Sequence, residues 1–220
     1  MTPYNLSLFP SSDGSASPPE HLREGAVLLR GFASNEAPQL LAEVGKISEV
    51  AGFRNMMTPG GHVMSVAMTN CGAAGWVTDR KGYRYTELDP LTGKSWPAMP
   101  EIFLHLAQRA SAAAGFPNFC PDACLINRYT PGARMTMHQD RNEQDFREPI
   151  VSVSLGLPAT FLFGEVEHRN HPQRITIAHG DVVVWGGPAR LAYHGILRLQ
   201  AGHHELTGDC RINLTFRKAL

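Results

Sequence analysis

The sequence predicts a mainly β protein with a smaller helical part, an α+β fold. From residue 124 onward, short runs rich in β-branched and aromatic residues alternate with Gly, Pro and Asp breakers. Before residue 115, two segments instead carry apolar residues at helical spacing. Many short strands separated by turns are typical of a β-sandwich or barrel. We therefore expect one β core with a helical layer packed against it.

The first half of the chain supplies the helices. Residues 1–20 are expected to be a flexible leader, because residues 10–19 read PSSDGSASPP, and residues 21–220 to be one domain. A strand is predicted at 26–29, followed by a helix from a Ser34–Asn35 cap through Val50. Residues 52–99 are expected to form strands and loops. A second helix is predicted from Pro100 to Ala114, ended by Gly115.

The second half is expected to be the β core. Breakers such as Pro131-Gly132, Gly164 and Gly186-Gly187-Pro188 separate its apolar runs. The predicted strands are 124–129, 135–139, 149–155, 160–163, 174–178, 181–185, 191–196 and 210–217.

Composition bounds the function only loosely. The formal net charge of zero does not indicate a nucleic-acid binder, although sixteen of the twenty basic residues are arginine, whose planar fork suits carboxylate and phosphate. No run approaches the roughly 20 apolar residues of a membrane span, and the N-terminus lacks a signal-peptide pattern. The four cysteines show no paired C-x-x-C spacing. We expect a cytoplasmic monomer with reduced thiols and no membrane partner.

A candidate metal site begins at His138-Gln139-Asp140. On a strand, residues i and i+2 point to the same face, so both outer side chains can approach one ion. In a chain with ten histidines such a triplet also arises by chance, so it is weak alone. His194, near the end of a predicted strand, would complete the two-histidine, one-carboxylate set that leaves open positions on non-haem iron(II). A core or turn histidine is the alternative, which we expect for the other nearby histidines: His168, His171, His179, His203 and His204.

The last predicted strand, Arg211-Ile-Asn-Leu-Thr-Phe-Arg217, strengthens the iron hypothesis. It alternates strictly, so its two arginines, Asn213 and Thr215 share one face. A solvated sheet face would also explain this pattern. A dicarboxylic ligand, however, needs two anion clamps, which bidentate arginines supply. Together with the triad, the strand indicates an iron site whose co-substrate is a 2-oxoacid dicarboxylate.

An earlier predicted strand adds two candidates for the same ligand. In Leu125-Ile-Asn-Arg-Tyr129, Asn127 and Tyr129 fall on one face. Either side chain can donate a hydrogen bond to a carboxylate. Tyr129 could equally be a core residue.

From about residue 25 to 217 the sequence resembles the AlkB family of DNA and RNA dealkylating dioxygenases, particularly its bacterial members. The resemblance rests on several motifs in order. They are Thr58-Pro-Gly-Gly61, Met64-Ser-Val-Ala-Met-Thr-Asn-Cys-Gly72, Pro121-Asp-Ala-Cys-Leu-Ile-Asn-Arg-Tyr129, His138-Gln-Asp140, Val151-Ser-Val-Ser-Leu-Gly-Leu-Pro158, His179-Gly-Asp-Val-Val-Val-Trp-Gly-Gly187, Tyr193-His-Gly195 and Arg211-x-Asn-x-Thr-x-Arg217. Ordered and spaced in this way, they form a specific signature.

The resemblance implies a double-stranded β-helix, or jelly roll, in residues 121–220. Residues 21–120 would form its helical support and a nucleotide-recognition lid. By the same resemblance, His138, Asp140 and His194 are the iron(II) ligands, and 2-oxoglutarate and O2 are the co-substrates. The implied 2-oxoglutarate contacts are Asn127, Tyr129, Arg211, Asn213 and Arg217.

The resemblance also places substrate residues, with less support from the sequence itself. Aromatic faces on the lid would stack on a flipped base, although ordinary core aromatics are the alternative for Trp76 and Tyr85. The implied substrate residues are Thr58, Met64, Trp76, Tyr83, Arg84, Tyr85, Asn142 and Arg169. Asn142 departs from the acidic residue of close bacterial relatives, which puts base preference in doubt. The resemblance weakens over residues 165–174, where either His168 or Arg169 could match the family's substrate arginine, and Arg169 is chosen because Arg169-Asn170 preserves the local pair.

The activity implied by the resemblance is oxidative dealkylation of N-alkylated nucleobases, of the 1-methyladenine and 3-methylcytosine type. The substrate would be single-stranded DNA and possibly RNA. The co-products would be succinate, carbon dioxide and formaldehyde. Two alternatives are an oxygenase acting on a protein or small molecule, and a non-catalytic reader of alkylated nucleic acid. Replacing His138 by Ala should abolish turnover in either oxygenase but leave a reader largely intact.

Overall fold

A computed structural model of the protein describes residues 18–167 and 171–220. Most of the expected leader, and the substrate candidate Arg169, lie outside these residues. The described residues form fourteen strands. They are β1 (Glu20–Arg23), β2 (Ala26–Leu29), β3 (Arg54–Met57), β4 (Val63–Gly72), β5 (Gly75–Asp79), β6 (Gly82–Thr86), β7 (Ala123–Tyr129), β8 (Met135–His138), β9 (Ile150–Gly156), β10 (Ala159–Phe163), β11 (Gln173–Ile177), β12 (Val182–Trp185), β13 (His194–Ile196) and β14 (Arg211–Arg217).

Two antiparallel sheets form the jelly roll. The larger has the strand order β1-β2-β12-β9-β14-β7-β4-β3, and the smaller has the order β11-β10-β13-β8. The larger sheet therefore takes strands from both sides of residue 120. The predicted mainly β fold is confirmed, and seven of the eight strands predicted after residue 123 match their observed bounds to within one residue at each end.

The exception is β13, which was expected at 191–196 and covers only His194–Ile196. Just before it, the Ala192 N–H donates to the Ala189 carbonyl at 2.8 Å, so a turn occupies the start of the expected strand. The backbone of Tyr193 still pairs with Gly164 and Glu165, beyond the end of β10. The turn therefore shortens the strand at its N-terminal end.

Two helices cover the outer face of the larger sheet. Helix α1 (Ala37–Val50) ends where predicted, but a 3-10 turn over residues 34–36 precedes it and its N-cap, Glu36, makes no side-chain capping bond. The predicted Ser34–Asn35 cap is therefore wrong. Helix α2 (Glu101–Ala113) agrees with prediction to within one residue at each end. Neither helix, nor any other within residues 18–167 and 171–220, is long and apolar enough to cross a membrane.

The core has two layers because the central strands bury both faces. Outward-facing residues of β14, such as Leu214 and Phe216, pack with helix residues such as Leu40 and Phe103. A second cluster, which includes Phe161 and Trp185, fills the space between the two sheets. Polar side chains of β14 that face this inner space are consequently buried.

The hairpin β5–β6 forms a separate two-stranded sheet. Trp76 pairs with Tyr85 and Thr78 pairs with Tyr83, so these four side chains share one face. An isolated hairpin is only marginally stable. Its position therefore depends on contacts such as the 2.9 Å bond from Trp96 Nε1 to the Thr86 carbonyl. We call β5–β6 the lid hairpin.

Candidate active site

Three potential metal ligands meet where β8 and β13 pair. His138 ends β8 and lies directly opposite His194, the first residue of β13. A Cβ on Gly195 would lie 2.7 Å from the Met135 carbonyl oxygen, so the glycine permits this close approach. Asp140 lies two residues beyond the end of β8, and its carboxylate is 3.7 Å from His138 Nε2 and 3.8 Å from His194 Nε2.

Both imidazoles are oriented with Nε2 toward the carboxylate. His138 Nδ1 lies 2.8 Å from the Thr136 carbonyl, and His194 Nδ1 lies 3.0 Å from the Ala192 carbonyl. A carbonyl at Nδ1 fixes the tautomer that presents a free Nε2 lone pair to a metal. Burial, aided by His138, lowers the pKa of His194 to about 4, so this ligand is neutral at pH 7.

Asp140 is held as a carboxylate by Arg217. Arg217 Nε and Nη2 donate to its Oδ2 at 2.9 and 2.7 Å. Burial opposes ionisation of Asp140, but the charges of Arg217 and the two histidines lower its pKa well below the usual range. Among the residues that the structure describes, this is the only group of three His, Cys, Asp or Glu side chains close enough to share an ion. Two imidazoles and one carboxylate fit iron(II) with open positions.

The polar face of β14 points into the jelly roll, not toward water. Arg211 is 1% exposed, and its Nη2 donates to Ser154 Oγ at 3.0 Å. Its Nε and Nη1 are buried without an acceptor. Burial lowers the pKa of Arg211 but leaves the guanidinium charged. An uncompensated buried cation with two free donors fits an incoming carboxylate.

The other predicted co-substrate residues surround the same small pocket. Arg211 Cζ lies 5.0 Å from the centroid of the Tyr129 ring. Asn127 Nδ2 donates to Asn213 Oδ1 at 3.1 Å, while Asn127 Oδ1 is buried without a partner. The pocket also contains His138 and His194, so a ligand held by Arg211 can reach the metal position. The unpaired polar atoms beside the candidate metal ligands fit 2-oxoglutarate.

Arg217 occupies a different position from that of a simple carboxylate clamp. Two of its donors are taken by Asp140, and its Nε is also 3.4 Å from Glu143 Oε1. In this structure it holds Asp140, one of the three potential metal ligands. Its side chain still lines the small pocket, beside the remaining co-substrate residues.

A second, open pocket of about 500 Å³ reaches the same centre from outside. Its wall includes Trp76 and Tyr83, whose rings stack at 5.7 Å with an interplanar angle of 23°. Four of its lining residues, His138, Arg217, Leu125 and Met135, also line the small pocket. Five predicted substrate residues lie here together: Thr58, Met64, Trp76, Tyr83 and Asn142.

Two predicted substrate residues on the lid hairpin do not line either pocket. Arg84 pairs with Asp79 of the same hairpin, at 2.8 Å. Tyr85 donates its hydroxyl to Glu143 Oε1 at 2.6 Å. Burial raises the pKa of Tyr85, so the hydroxyl stays protonated and can donate.

The sequence argument missed several buried polar residues around the site. Glu143 and Arg190 form an ion pair at 3.2 Å, with side chains almost fully buried. Ser154 binds Arg211 from β9. The serines could have been found, because the Val-Ser-Val-Ser alternation of β9 places both on the inner face beside Asn213 and Thr215. Glu143 and Arg190 lie in irregular segments, where no periodicity marks a buried charge.

Comparisons with known proteins agree with this geometry. The sequence model of the 2OG-Fe(II) oxygenase superfamily matches residues 25–217. The chain is 59% identical over 200 residues to "Alpha-ketoglutarate-dependent dioxygenase AlkB" of Escherichia coli (strain K12), which covers 91% of this chain and 93% of that protein. It is 30% identical over 125 residues to human "Nucleic acid dioxygenase ALKBH1", covering 56% of this chain and 32% of that protein.

The fold agrees as well. The solved structure described as "The structure of OsALKBH1" superposes with a TM-score of 0.81 at 29% sequence identity, covering 91% of this chain and 100% of that one. Site geometry, sequence and fold thus lead to the same family. The chain belongs to the AlkB family of iron(II)- and 2-oxoglutarate-dependent dioxygenases.

Proposed function

We propose that this dioxygenase removes alkyl groups oxidatively from N-alkylated bases of single-stranded DNA, and also of RNA. The observation that carries the proposal is the meeting of two pockets at one triad. The small pocket presents unpaired cationic donors, and the open pocket presents stacked aromatic rings. A dicarboxylate co-substrate and a planar base can therefore reach the same metal from two sides.

His138, Asp140 and His194 would hold iron(II), and Arg211, Asn127 and Tyr129 would hold 2-oxoglutarate. When bound, iron(II) and 2-oxoglutarate would use dioxygen to hydroxylate an N-methyl group, with formaldehyde, succinate and carbon dioxide as the co-products. The protein contributes position and electrostatics. Arg211 anchors one end of the co-substrate, and Arg217 keeps Asp140 ionised and correctly turned.

The open pocket suits one extruded base. Trp76 and Tyr83 offer an aromatic surface, and Tyr83 is 48% exposed. Stacking on such a surface contributes about 1–3 kcal/mol per base and tolerates different bases. A methyl on a Watson–Crick nitrogen cannot be reached inside a duplex, so the base must be single-stranded or flipped. Met64, on the same wall, gives apolar contact near an alkyl group.

Asn142 is one residue on this wall that can hydrogen-bond a base edge. Its Oδ1 accepts from Trp76 Nε1 at 3.1 Å and its Nδ2 donates to the Tyr83 carbonyl at 3.4 Å, which leaves the second N–H of the amide as a donor. An NH2 donor selects for a base acceptor, whereas a carboxylate at the same place would select for an exocyclic amine. Base preference is therefore expected to differ from that of relatives with an acidic residue here.

Cationic side chains near the mouth would contact the phosphates. Arg141 lines the open pocket, and phosphate contacts position a strand without selecting its sequence. Arg169 is proposed for the same role from the family resemblance alone. We further infer that the enzyme acts as a monomer in the cytoplasm, where its four free thiols stay reduced.

The direct test is turnover on defined oligonucleotides. Anaerobically purified protein would receive iron(II), ascorbate, 2-oxoglutarate and then air, with single-stranded DNA or RNA containing 1-methyladenine or 3-methylcytosine. We expect formaldehyde and restored bases by mass spectrometry, with unmodified oligonucleotides and a His138→Ala variant as controls. Succinate production without any base repair would redirect the proposal to a protein or small-molecule substrate. Binding without succinate would favour a reader.

A further inference from the structure

Asp140 belongs to a closed group of four buried charged side chains. Arg217 Nη2 is 2.7 Å from Asp140 Oδ2, and its Nε is 3.4 Å from Glu143 Oε1. Arg190 completes the ring: it donates to Glu143 Oε2 at 3.2 Å and to the Asp140 backbone carbonyl at 3.1 Å. The two positive and two negative side-chain charges of the group cancel. We call these residues the charge ring.

The lid hairpin contacts this ring directly. Tyr85 Oη donates to Glu143 Oε1 at 2.6 Å. The preceding residue, Asn142, accepts at its Oδ1 from Trp76 Nε1 at 3.1 Å. A segment of four residues, 140–143, therefore begins with a metal ligand and ends with the two residues that bind the lid hairpin. A shift of the lid hairpin would therefore also shift the segment that carries Asp140.

Neither the segment 140–143 nor the lid hairpin is held by backbone hydrogen bonds to the described strands of the main sheets. Residues 139–149 contain no helix or strand. Arg190 fixes their path instead, through its bonds to the Asp140 and Glu148 carbonyls. The lid hairpin is likewise a two-stranded sheet of its own. Side-chain contacts therefore set the position of the hairpin relative to the segment.

We propose that Glu143 is a positioning residue that couples the lid hairpin to the metal ligand Asp140, through Tyr85 on one side and Arg217 on the other. The inference rests on the proposed function in one respect, because it takes the lid hairpin as the wall of the base pocket. The competing explanation is that Glu143 only neutralises two buried arginines. Tyr85 separates the two explanations, since its hydroxyl carries no charge.

The first test measures metal binding without nucleic acid. Cobalt(II) binds the same N/O ligand types and has visible absorption. We expect Glu143→Gln to bind cobalt(II) about 10- to 100-fold more weakly, the range for outer-shell partners of a metal ligand. Tyr85→Phe should weaken it about two- to tenfold, which corresponds to one hydrogen bond. Tyr83→Phe, the matched loss of a hydroxyl two residues away, should not alter cobalt(II) affinity.

The outcome for Tyr85→Phe decides this test. If its cobalt(II) affinity equals that of Tyr83→Phe and of the unmodified protein, the lid hairpin does not influence the metal site and the proposal is overturned. Thermal melting of each metal-free variant checks the fold. Should Glu143→Gln fail to fold, Tyr85→Phe still gives a result, because it leaves all four buried charges in place.

The second test asks whether binding of substrate beside the lid hairpin alters the metal site. Saturating single-stranded oligonucleotide containing 1-methyladenine is added to the cobalt(II) protein with 2-oxoglutarate. We expect a change in the visible spectrum of the unmodified protein and of Thr78→Val, which removes an unpaired hydroxyl from the same hairpin outside both pockets. Tyr85→Phe should show at most half that change at equal occupancy. An equal change in Tyr85→Phe would overturn the coupling. An oligonucleotide that fails to bind any of the proteins counts against the proposed function alone, because the cobalt(II) affinities need no nucleic acid.

Discussion

Strand β14 and the lid hairpin both supply side chains to one centre, but the protein supports them differently. All seven residues of β14 are buried, and the strand is paired along its length with β7 and β9. The lid hairpin is only partly buried, and its two strands pair only with each other. The side chains that fit the co-substrate are thus placed by the main sheet, whereas the aromatic side chains that fit the substrate lie on a small attached element. Substrate choice can therefore change in such a protein without rearranging the co-substrate pocket.

The largest expected effect comes from breaking the buried pair of β14. Arg217→Gln leaves Asp140 as a buried carboxylate without its main partner, and such a change costs about 3–5 kcal/mol of unfolding free energy. Denaturant unfolding of the metal-free protein measures it. Cobalt(II) should restore part of the loss, because a divalent cation compensates the same charge. A loss below 1 kcal/mol would show that β14 tolerates an unpaired charge and would weaken the contrast.

The second prediction concerns the free donors of Arg211. Arg211→Lys keeps the charge but removes the planar fork, so a carboxylate loses at least one charge-assisted hydrogen bond. We expect the KM for 2-oxoglutarate to rise about 10- to 100-fold, with the KM for oligonucleotide unchanged. Steady-state succinate assays measure both constants. An equal rise in both KM values would contradict the assignment of Arg211 to the co-substrate pocket.

The third prediction applies the matching test to the lid hairpin. Trp76→Ala removes a stacking surface, and we expect the KM for methylated oligonucleotide to rise about tenfold. The KM for 2-oxoglutarate and the unfolding free energy should change little, because Trp76 is only partly buried. Trp76→Phe should give a KM for methylated oligonucleotide between those of Trp76→Ala and the unmodified protein. Unaltered repair by Trp76→Ala would remove this ring from the substrate site.

The smallest effect is expected from the exposed ion pair of the lid hairpin. Arg84→Gln makes the same chemical change as Arg217→Gln, but its partner Asp79 is solvated. Exposed pairs contribute little to stability, so the denaturation midpoint should stay within experimental error. Because each variant removes an arginine that makes two hydrogen bonds to one carboxylate, the difference between their losses of unfolding free energy compares a buried pair with an exposed one. A large loss in Arg84→Gln would assign this pair a structural role.

Much of the cofactor site could be predicted because its residues lie on strands. Alternation in β14 correctly grouped Arg211, Asn213 and Arg217 on one face, and the structure shows that this face is buried. The spacing of His138 and Asp140 likewise indicated convergence, although Asp140 lies beyond the end of β8. Strand periodicity is local, so a single sequence reveals it.

Side-chain partners far apart in the sequence, and the start of α1, were harder to predict. Tyr85 was predicted to contact substrate, but its hydroxyl contacts Glu143, 58 positions along the chain. Glu143 and Arg190 gave no periodic signal. The predicted cap at Ser34 was wrong because a 3-10 turn replaces the first helical turn. Tyr85, Glu143 and Arg190 depend on contacts distant in sequence, whereas the 3-10 turn is closed by local bonds such as that from the Glu36 N–H to the Ala33 carbonyl.

The sequence by itself determined the strand faces and the family and identified the candidate metal ligands, because residue type, local spacing and the order of motifs encode them. Only the tertiary structure decided that Arg217 holds Asp140 and that two pockets meet at one triad. It also closed a neutral ring of charges between the lid hairpin and the metal site. Pairing partners of buried charges depend on which segments fold together. Local sequence spacing does not reveal these partners. A buried charge requires a partner, but its burial does not determine which residue that partner is.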